Sequence, residues 1–519
     1  MLYRSVSVIV PGASVLPALL MILPDENPMT ETSAVAESWD LQFQPPDRTS
    51  DQLSGLRVLV LGLGSHGGGT DLIRFLTSRG AQVSVSDQSS EQELADSLQQ
   101  LRGLNLCRTT FGGHQREDLT GCDWVVVNPA IPPSSSFLRQ VADSDVRAVT
   151  EMGLVLSWLP SQHLAAITGT NGKSTTCVLA SQMVKESGIP VTAGGNLGGS
   201  LLQELDRPEK ERRFVVEISS FQAQRLEQGG SRPRIVSITN LSPDHLDWHS
   251  DQQQYQNAKS RLLEPYRQDG AVAILPTTGP FGRDYCCPHR EIIRCGNDGE
   301  SQPGDGVLQV QSPAGEISIP YRPTAALGGT AGLENALHAA TVAAHLGATV
   351  EGIAQAIETF EGLPHRYQNL GELNGIRFIN DSKATSPESA AAALERIDTP
   401  VHWLCGGKSK GSDLAALVNL ASKRSLQAYC FGSVREKLGD ALLQGGLTDG
   451  HLQRHETLEL AFNSAVEGAR PGDAVLLSPA FASFDQYSSF EKRGEHFQQL
   501  VAKRSGSHQQ DCHGDETGP

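Results

Sequence analysis

The stretch "LAAITGTNGKSTTCVLASQMVKESG", from Leu164 to Gly188, leaves the chain little freedom of fold. A short apolar run ends in a glycine-bearing loop, and the loop opens into an amphipathic run closed by Gly188, so the pattern predicts strand, tight loop and helix. Gly169 and Gly172 let the backbone of Gly169, Thr170, Asn171 and Gly172 curl until its amides point inward at an anion. Lys173 adds a mobile positive charge, and Ser174 or Thr175 offers a hydroxyl to Mg2+. The helix N-terminus favours negative charge as well. Together these features predict a site for a nucleoside triphosphate. The spacing is not the commonest one, because the position five residues before Gly172 is Ile167 and the first glycine is Gly169.

This unit is one of three βαβ series. The first begins with "LRVLVLG", followed by the helical "TDLIRFLTSRG" and the strands "AQVSVSD" and "WVVVNPAI". The second runs from about 164 and includes "RFVVEIS" and "RIVSITNLS", then a Gly/Pro-rich part between 276 and 330, then two helical runs. The third contains "IRFINDSKAT", "VHWLCGGKSKG", "LQAYCFG" and "DAVLLSPAFASFDQY". The fold class is α/β, with expected boundaries at 55–150, 151–363 and 364–503. Residues 1–54 read as a poorly ordered extension and 504–519 as a polar, mobile tail. Arg4 followed by apolar residues has the order of a signal peptide, but Pro11 and Pro17 interrupt it and no clean cleavage site follows. Met29 is an alternative start, so 1–28 are either untranslated or a genuine extension. No stretch is long enough to span a bilayer.

The chain has 519 residues, a formal net charge of −17 and no long Lys/Arg run, which argues against a nucleic-acid binder. Its nine scattered cysteines fit a reducing compartment. The cluster "CCPHREIIRC" holds Cys286, Cys287, His289 and Cys295, but adjacent cysteines are poor partners on one tetrahedral zinc, and a surface loop is the simpler reading.

Three further motif sets carry chemistry. "GLGSHG" places Gly62, Gly64 and Gly67 between a strand and a helix, with Asp87 twenty residues after Gly67. That is the context of a dinucleotide fingerprint, compatible with NAD, with any nucleoside diphosphate, or with a ligand-free turn. "VVEISSFQ" puts Glu217 at a strand end, and "TNLSPDHLDWH" puts Asp244, His245 and Asp247 after the next strand. Glu217 suits Mg2+, and His245 a second ion or a water. Lys259 on a helix reads, taken alone, as a solvated lysine. In the third series, His365, Arg366, Asp381, Ser382, Lys383, Thr385, Lys408, Lys410, Ser478, Ser483, Phe484 and Phe490 gather cations and hydroxyls at strand ends, as an anionic ligand requires.

The ordered set "TGTNGKSTT", "EISSFQ", "TNLSPDHLDWH", "GLPHR", "NDSKAT" and "SPAFASFDQYSSFEKRG" resembles the Mur ligases of peptidoglycan synthesis over about residues 55–503. The last two motifs point to the D-glutamate-adding branch. The resemblance implies a Rossmann-like N-terminal domain for a uridine nucleotide, a P-loop-type central ATPase domain and a Rossmann-like C-terminal domain. It implies a cytoplasmic monomer that uses ATP and two Mg2+ ions to join D-glutamate to UDP-N-acetylmuramoyl-L-alanine through an acyl phosphate, without nucleic acid or membrane. By that resemblance Lys173 meets the phosphates, Ser174 and Glu217 the first Mg2+, and His245 the second. Lys259 matches a lysine that is carbamylated to help hold that second ion. Asn335, Arg366 and Asp381 match ATP contacts. Lys383, Thr385, Lys410, Ser483, Phe484 and Phe490 match positions around D-glutamate, and Asn196 a muramoyl contact. The "GLGSHG" loop would hold the uridine diphosphate and Asp87 the uracil, which displaces NAD. The chain departs from the family pattern at "DQSS", which lacks a Thr-Arg after Asp87. It also departs at "NPAIPP", in place of Ser-Pro-Gly, and at "ILPTTGP", in place of Asn-Ala-Asp-Asp. A folylpolyglutamate synthase shares the central motifs but lacks the first domain. A nucleotide-binding protein without catalysis would have no need of Lys173, Glu217, His245 and Lys259 together.

Overall fold

The computed structural model describes residues 41–511 apart from 65–67, 199, 207–210, 229, 266–268, 410–412 and 425, and without the side chains of 206, 246, 247 and 505–511. Within it, each of the three βαβ series builds its own sheet. The first is five parallel strands, in the order Arg108–Phe111, Gln82–Asp87, Arg57–Leu61, Trp124–Val127 and Arg147–Val149. The strand order reverses beside Arg57–Leu61. Chain crossovers leave in opposite directions there and open a crevice at the strand ends, where α/β sheets receive ligands.

The central sheet has six parallel strands, ordered Glu291–Cys295, Val272–Pro276, Ile235–Ile238, Leu164–Thr168, Arg213–Glu217 and Val191–Gly195. The strand feeding the glycine loop, Leu164–Thr168, lies in the middle and is buried at every position. Leu164 and Ala166 join an apolar cluster shared with the first sheet, while Ala165 and Ile167 face a second cluster under the helices Lys173–Glu186, Gly329–His345 and Val350–Thr359. Side chains alternate along a strand, so a strand covered on both faces must be apolar throughout. The Gly/Pro-rich part forms a small antiparallel sheet of Gln302–Pro303, Val307–Ser312 and Gly315–Pro320.

The third sheet is also six-stranded: Gln368–Leu373, Ile376–Asn380, Ala474–Ala480, Val401–Gly406, Leu426–Phe431 and Leu452–His455. Only its first pair is antiparallel. Apolar clusters cover both of its faces.

Two expectations about the ends are revised. Part of the supposed poorly ordered extension is tied to the first sheet. Gln44 N donates to Ala148 O at 2.9 Å, the Trp124 indole donates to Asp47 Oδ1 at 3.0 Å, the Trp158 indole donates to Arg48 O at 3.1 Å, and Leu53 is fully buried. The indole N–H of buried Trp124 needs an acceptor, and this segment supplies it. At the other end the last helix, Phe490–Asp511, continues past residue 503. Residues 1–40 and 512–519 lie outside the described residues. No helix among the described residues is long and apolar enough to cross a membrane.

Candidate active site

The glycine loop is built by close approach. Gly169 has φ 150° and Gly172 φ 80°. A Cβ on Gly169 would stand 2.0 Å from Thr239 Oγ1, and one on Gly172 would stand 2.1 Å from Asn335 Oδ1. The segment after the strand Ile235–Ile238 fastens the loop from the side. Asn171 N donates to Asn240 Oδ1 at 2.9 Å, and Asn171 O accepts from Thr239 Oγ1 at 2.7 Å and from Asn240 Nδ2 at 3.1 Å. Thr170 Oγ1 is 3.2 Å from both Ser242 O and the Tyr255 hydroxyl. Thr175 is buried behind the loop, in the first turn of the helix Lys173–Glu186.

Four cationic side chains converge on this loop. Lys173 Nζ donates to Thr170 O at 2.7 Å and Gly169 O at 3.0 Å; Lys259 Nζ donates to the same Gly169 O at 2.8 Å. From the third sheet, Arg366 Nη2 and Lys383 Nζ donate to Ser174 Oγ at 3.2 and 3.4 Å. The carboxylate among them is Glu217, which is 1% exposed. Its Oε1 accepts from Asn196 Nδ2 at 2.6 Å, whereas its Oε2 is buried without a hydrogen-bond partner. Burial lowers the pKa of Lys173, Glu217 works against that shift, and Arg366 adds to it. Burial and the charge of Lys173 hold Lys259 well below the ordinary lysine range. Lys383 is pushed down to about 8, chiefly by burial and then by Arg366. Cations kept together in a low-dielectric pocket repel one another, and an anionic ligand relieves that repulsion.

Lys259 is not a solvated lysine. It is 1% exposed, and its Nζ lies 4.4 Å from the centre of the Tyr255 ring. Tyr255 and Lys259 share one face of the helix Gln252–Ser260, four residues apart. The His245 ring lies 6.4 Å from the Tyr255 ring and 4.8 Å from that of Phe221. Among the described residues no three His, Cys, Asp or Glu side chains form a cluster that could hold a metal unaided. The zinc alternative at "CCPHREIIRC" also fails on geometry, since Cys287 and Cys295 are buried in different apolar clusters and Cys286 is exposed.

In the third domain Asp381 is buried, accepting from Tyr367 N at 2.9 Å and from Ser478 Oγ at 2.8 Å; burial raises its carboxyl to about 6. Lys383 Nζ lies 5.4 Å from the Phe490 ring centre. The fully buried Arg493 ties Ser382 O, at 2.8 Å, to Phe481 O, at 3.1 Å, and so holds the two loops together.

A second concavity, of about 410 Å³, opens between the first and central sheets, lined by Gly62, Gly64, Gly68, Asn128, Glu151 and Asn196 among others. Gly62 and Gly64 have φ 86° and 68°, and Gly64 N donates to Asp87 Oδ2 at 3.1 Å. Asn196 lines this concavity and also bonds Glu217, so it connects the two sites.

Family models cover all three sheets. One described as "Mur ligase MurD-like, N-terminal domain" matches 56–150, "Mur ligase middle domain" matches 167–343, and "Mur ligase, glutamate ligase domain" matches 365–481. A protein of Desulfosudis oleivorans named UDP-N-acetylmuramoylalanine–D-glutamate ligase is 36% identical, over 87% of this chain and 97% of its own length. The chain belongs to the Mur ligase family. A protein of the same name from Roseiflexus is 34% identical over 87% of this Mur ligase and 99% of its own length. Solved structures agree on the fold. UDP-N-acetylmuramate-alanine ligase MurC of Thermotoga maritima matches with TM-score 0.55 and 16% identity over 87% of this chain and all of its own. MurF ligase of Thermotoga maritima, in complex with ADP, matches with TM-score 0.52 and 15% identity over 89% and 98%.

Of the residues expected to act in this ligase, Gly169, Thr170, Lys173, Ser174, Lys259, Arg366 and Lys383 are joined by hydrogen bonds around the loop, Asn335 stands against Gly172, and Asn196 bonds Glu217, whose charge acts on Lys173. Ser483 is buried nearby in sequence to Phe484, which is 56% exposed. Thr385 bonds locally, its N donating to Lys383 O at 2.8 Å. Gly67 and Lys410 lie outside the described residues. Thr239, Asn240, Tyr255, Asn128, Arg225 and Glu151 were not singled out from the sequence. The "TN" ending a buried strand and the four-residue step from Tyr255 to Lys259 were available signals. Nothing local marks Arg225, whose Nη1 reaches Asn128 O at 2.6 Å across 97 residues.

Proposed function

We propose that this chain joins D-glutamate to UDP-N-acetylmuramoyl-L-alanine at the expense of ATP, through an acyl phosphate. The observation that carries the reading is the convergence of Lys173, Lys259, Arg366 and Lys383 around the glycine loop and buried Glu217. Such a site suits transfer of a phosphoryl group, where catalysis consists of positioning and charge neutralisation.

In this reading the uridine diphosphate part occupies the concavity at Gly62, Gly64 and Asn128, with Asp87 toward the uracil. The L-alanyl carboxylate passes Asn196 toward Glu217. The loop amides and Lys173 hold the phosphates of ATP, with Asn335, Arg366 and Asp381 as further ATP contacts. The substrate carboxylate oxygen attacks the γ-phosphorus, the bond to the β–γ bridging oxygen breaks, and ADP leaves. The amine of D-glutamate, held by Lys383 with Thr385, Ser483, Phe484, Phe490 and Lys410, then attacks the acyl carbon. Phosphate leaves with the electron pair of the acyl C–O bond, and the proton lost by the amine passes to the departing phosphate. Arg366 and Lys383 come from the third domain and reach Ser174 in the second, so the reactants meet where these domains meet.

The donors fit Mg2+. Glu217 Oε2 is buried without a hydrogen-bond partner, and hard cations take such oxygens together with hydroxyl and phosphate oxygens. Ser174 and Glu217 would hold one ion, and His245 with a carbamylated Lys259 a second. When bound, the ions would neutralise charge developing on the phosphates. The depressed pKa of Lys259 leaves its amine nucleophilic enough to take up carbon dioxide as a carbamate. We further propose a cytoplasmic, monomeric enzyme.

The deciding experiment is an amino-acid acceptor screen with phosphate release as readout. Turnover with D-glutamate and not L-glutamate is expected. Equal activity with both, or ATP binding without turnover of any acceptor, overturns the reading.

A further inference from the structure

The concavity between the first and central sheets has an odd charge. The helix Gly68–Ser78 begins at its wall, and the turn at Gly62 and Gly64 opens onto it, which is a setting for an anion. Yet among the described residues Glu151 is the only charged side chain that lines it. Glu151 Oε2 lies 3.9 Å from where a Cβ on Gly68 would stand, against the first turn of that helix. A diphosphate at this helix terminus would therefore meet a carboxylate and no lysine or arginine. Two anions at contact distance in a partly desolvated cleft repel strongly, so one of them must be neutral. A nucleoside diphosphate sugar carries no phosphate group that titrates near neutral pH. Among the described residues that line the concavity, the group able to change is Glu151.

We propose that Glu151 is a positioning residue for the diphosphate of the nucleotide substrate, acting as a neutral carboxylic acid whose O–H donates to a phosphate oxygen, so that substrate binding takes up a proton. The inference rests on the assignment of this concavity to the uridine nucleotide. The surroundings of Glu151 favour the acid form. Burial raises its pKa to about 7, a hydrogen bond with Ser200 works against that shift, and the charge of Asp71 adds to it. Asp71, on the helix Gly68–Ser78, is the charged group facing it; the segment after Gly195 presents the neutral Asn196 and Ser200, and the turn at 128–130 the neutral Asn128. Asp71 Oδ2 also accepts from Ser200 N at 3.4 Å, so all three side chains sit in one small network. The sign follows. Below pH 7 Glu151 is already protonated and binding needs no proton. Above pH 7 each binding event must first restore one, so affinity falls as pH rises.

The test is calorimetric titration of the full chain with UDP-N-acetylmuramoyl-L-alanine in buffers of different ionisation enthalpy. At pH 7.5 the expected uptake is roughly 0.8 proton per substrate bound, and Kd should weaken about fifteenfold between pH 7 and 8.5. Glu151→Gln, which keeps a hydrogen-bond donor and loses the titration, should show no uptake and a Kd flat with pH. Asp71→Asn removes the neighbouring charge and should move the midpoint of the Kd profile to lower pH, a shift that a purely structural role would not produce. Binding without proton uptake by the unaltered chain overturns the role of Glu151 and leaves the assignment of the cavity standing. No binding at any pH overturns both.

Discussion

Lys259 shows how the fold changes the environment of a residue that reads as a solvated lysine from its helix alone. On its helix it is a polar residue like its neighbours, and only the fold places its amine on Gly169 O, beside Lys173 and the Tyr255 ring. Lys259→Ala is expected to lose most turnover and to regain part of it in short carboxylic acids such as acetate, which can replace a carbamate. Full activity without any additive excludes the carbamate. Lys173→Ala should lower kcat about 10²–10³-fold, the scale of losing one charge-stabilising group in a transition state, measured by phosphate release. Lys383 makes a pH prediction. Its folded pKa lies near 8, so it is charged below that value and neutral above it. The kcat/KM for D-glutamate should therefore fall on the alkaline side with a midpoint near 8, and Lys383→Arg should remove that limb from the measurable range.

At the scale of the element, the loop between Leu164–Thr168 and Lys173–Glu186 is shaped by its neighbours as much as by its glycines. Gly172 has a left-handed φ, which costs an L-residue about 1–2 kcal/mol, and Asn335 stands where its Cβ would go. Gly172→Ala should raise the KM for ATP at least about tenfold while the uridine-nucleotide affinity stays unchanged, since the concavity proposed for that ligand does not include this loop. Strand and helix here are legible from the apolar period and from Gly188. The partners that fasten the loop, Thr239 and Asn240, follow the end of another strand, 68 and 69 residues from Asn171, and periodicity says nothing of which strand ends adjoin.

Across the whole molecule, the proposed reaction draws Arg366 and Lys383 of the third domain to Ser174 of the second. Arg396 holds part of that contact. Its Nη2 donates to Ala325 O at 2.8 Å and Ala326 O at 3.1 Å, with its guanidinium 3.8 Å from the Tyr367 ring centre. Arg396→Ala should raise the KM values for ATP and D-glutamate together about three- to tenfold, as expected for losing one or two hydrogen bonds. X-ray scattering should show a wider chain in the absence of ligands. An effect on one substrate alone would place Arg396 in a binding site instead of a domain contact.

The amino-acid order by itself determined the class of fold, the three series, the phosphate loop and the family. Each depends on local spacing: buried strands must be apolar on both faces, helices must carry a stripe, and a loop that cradles an anion must have glycine where no Cβ fits. Tertiary structure alone decided which charges share a pocket. It buried Lys259 and Glu217, brought Arg366 and Lys383 to Ser174 from about 200 residues away, set Asp47 under Trp124, and made Glu151 the one charged side chain among the described residues lining the second concavity. Electrostatic interactions act through space and depend on burial, and neither property is written in the spacing of residues along the chain.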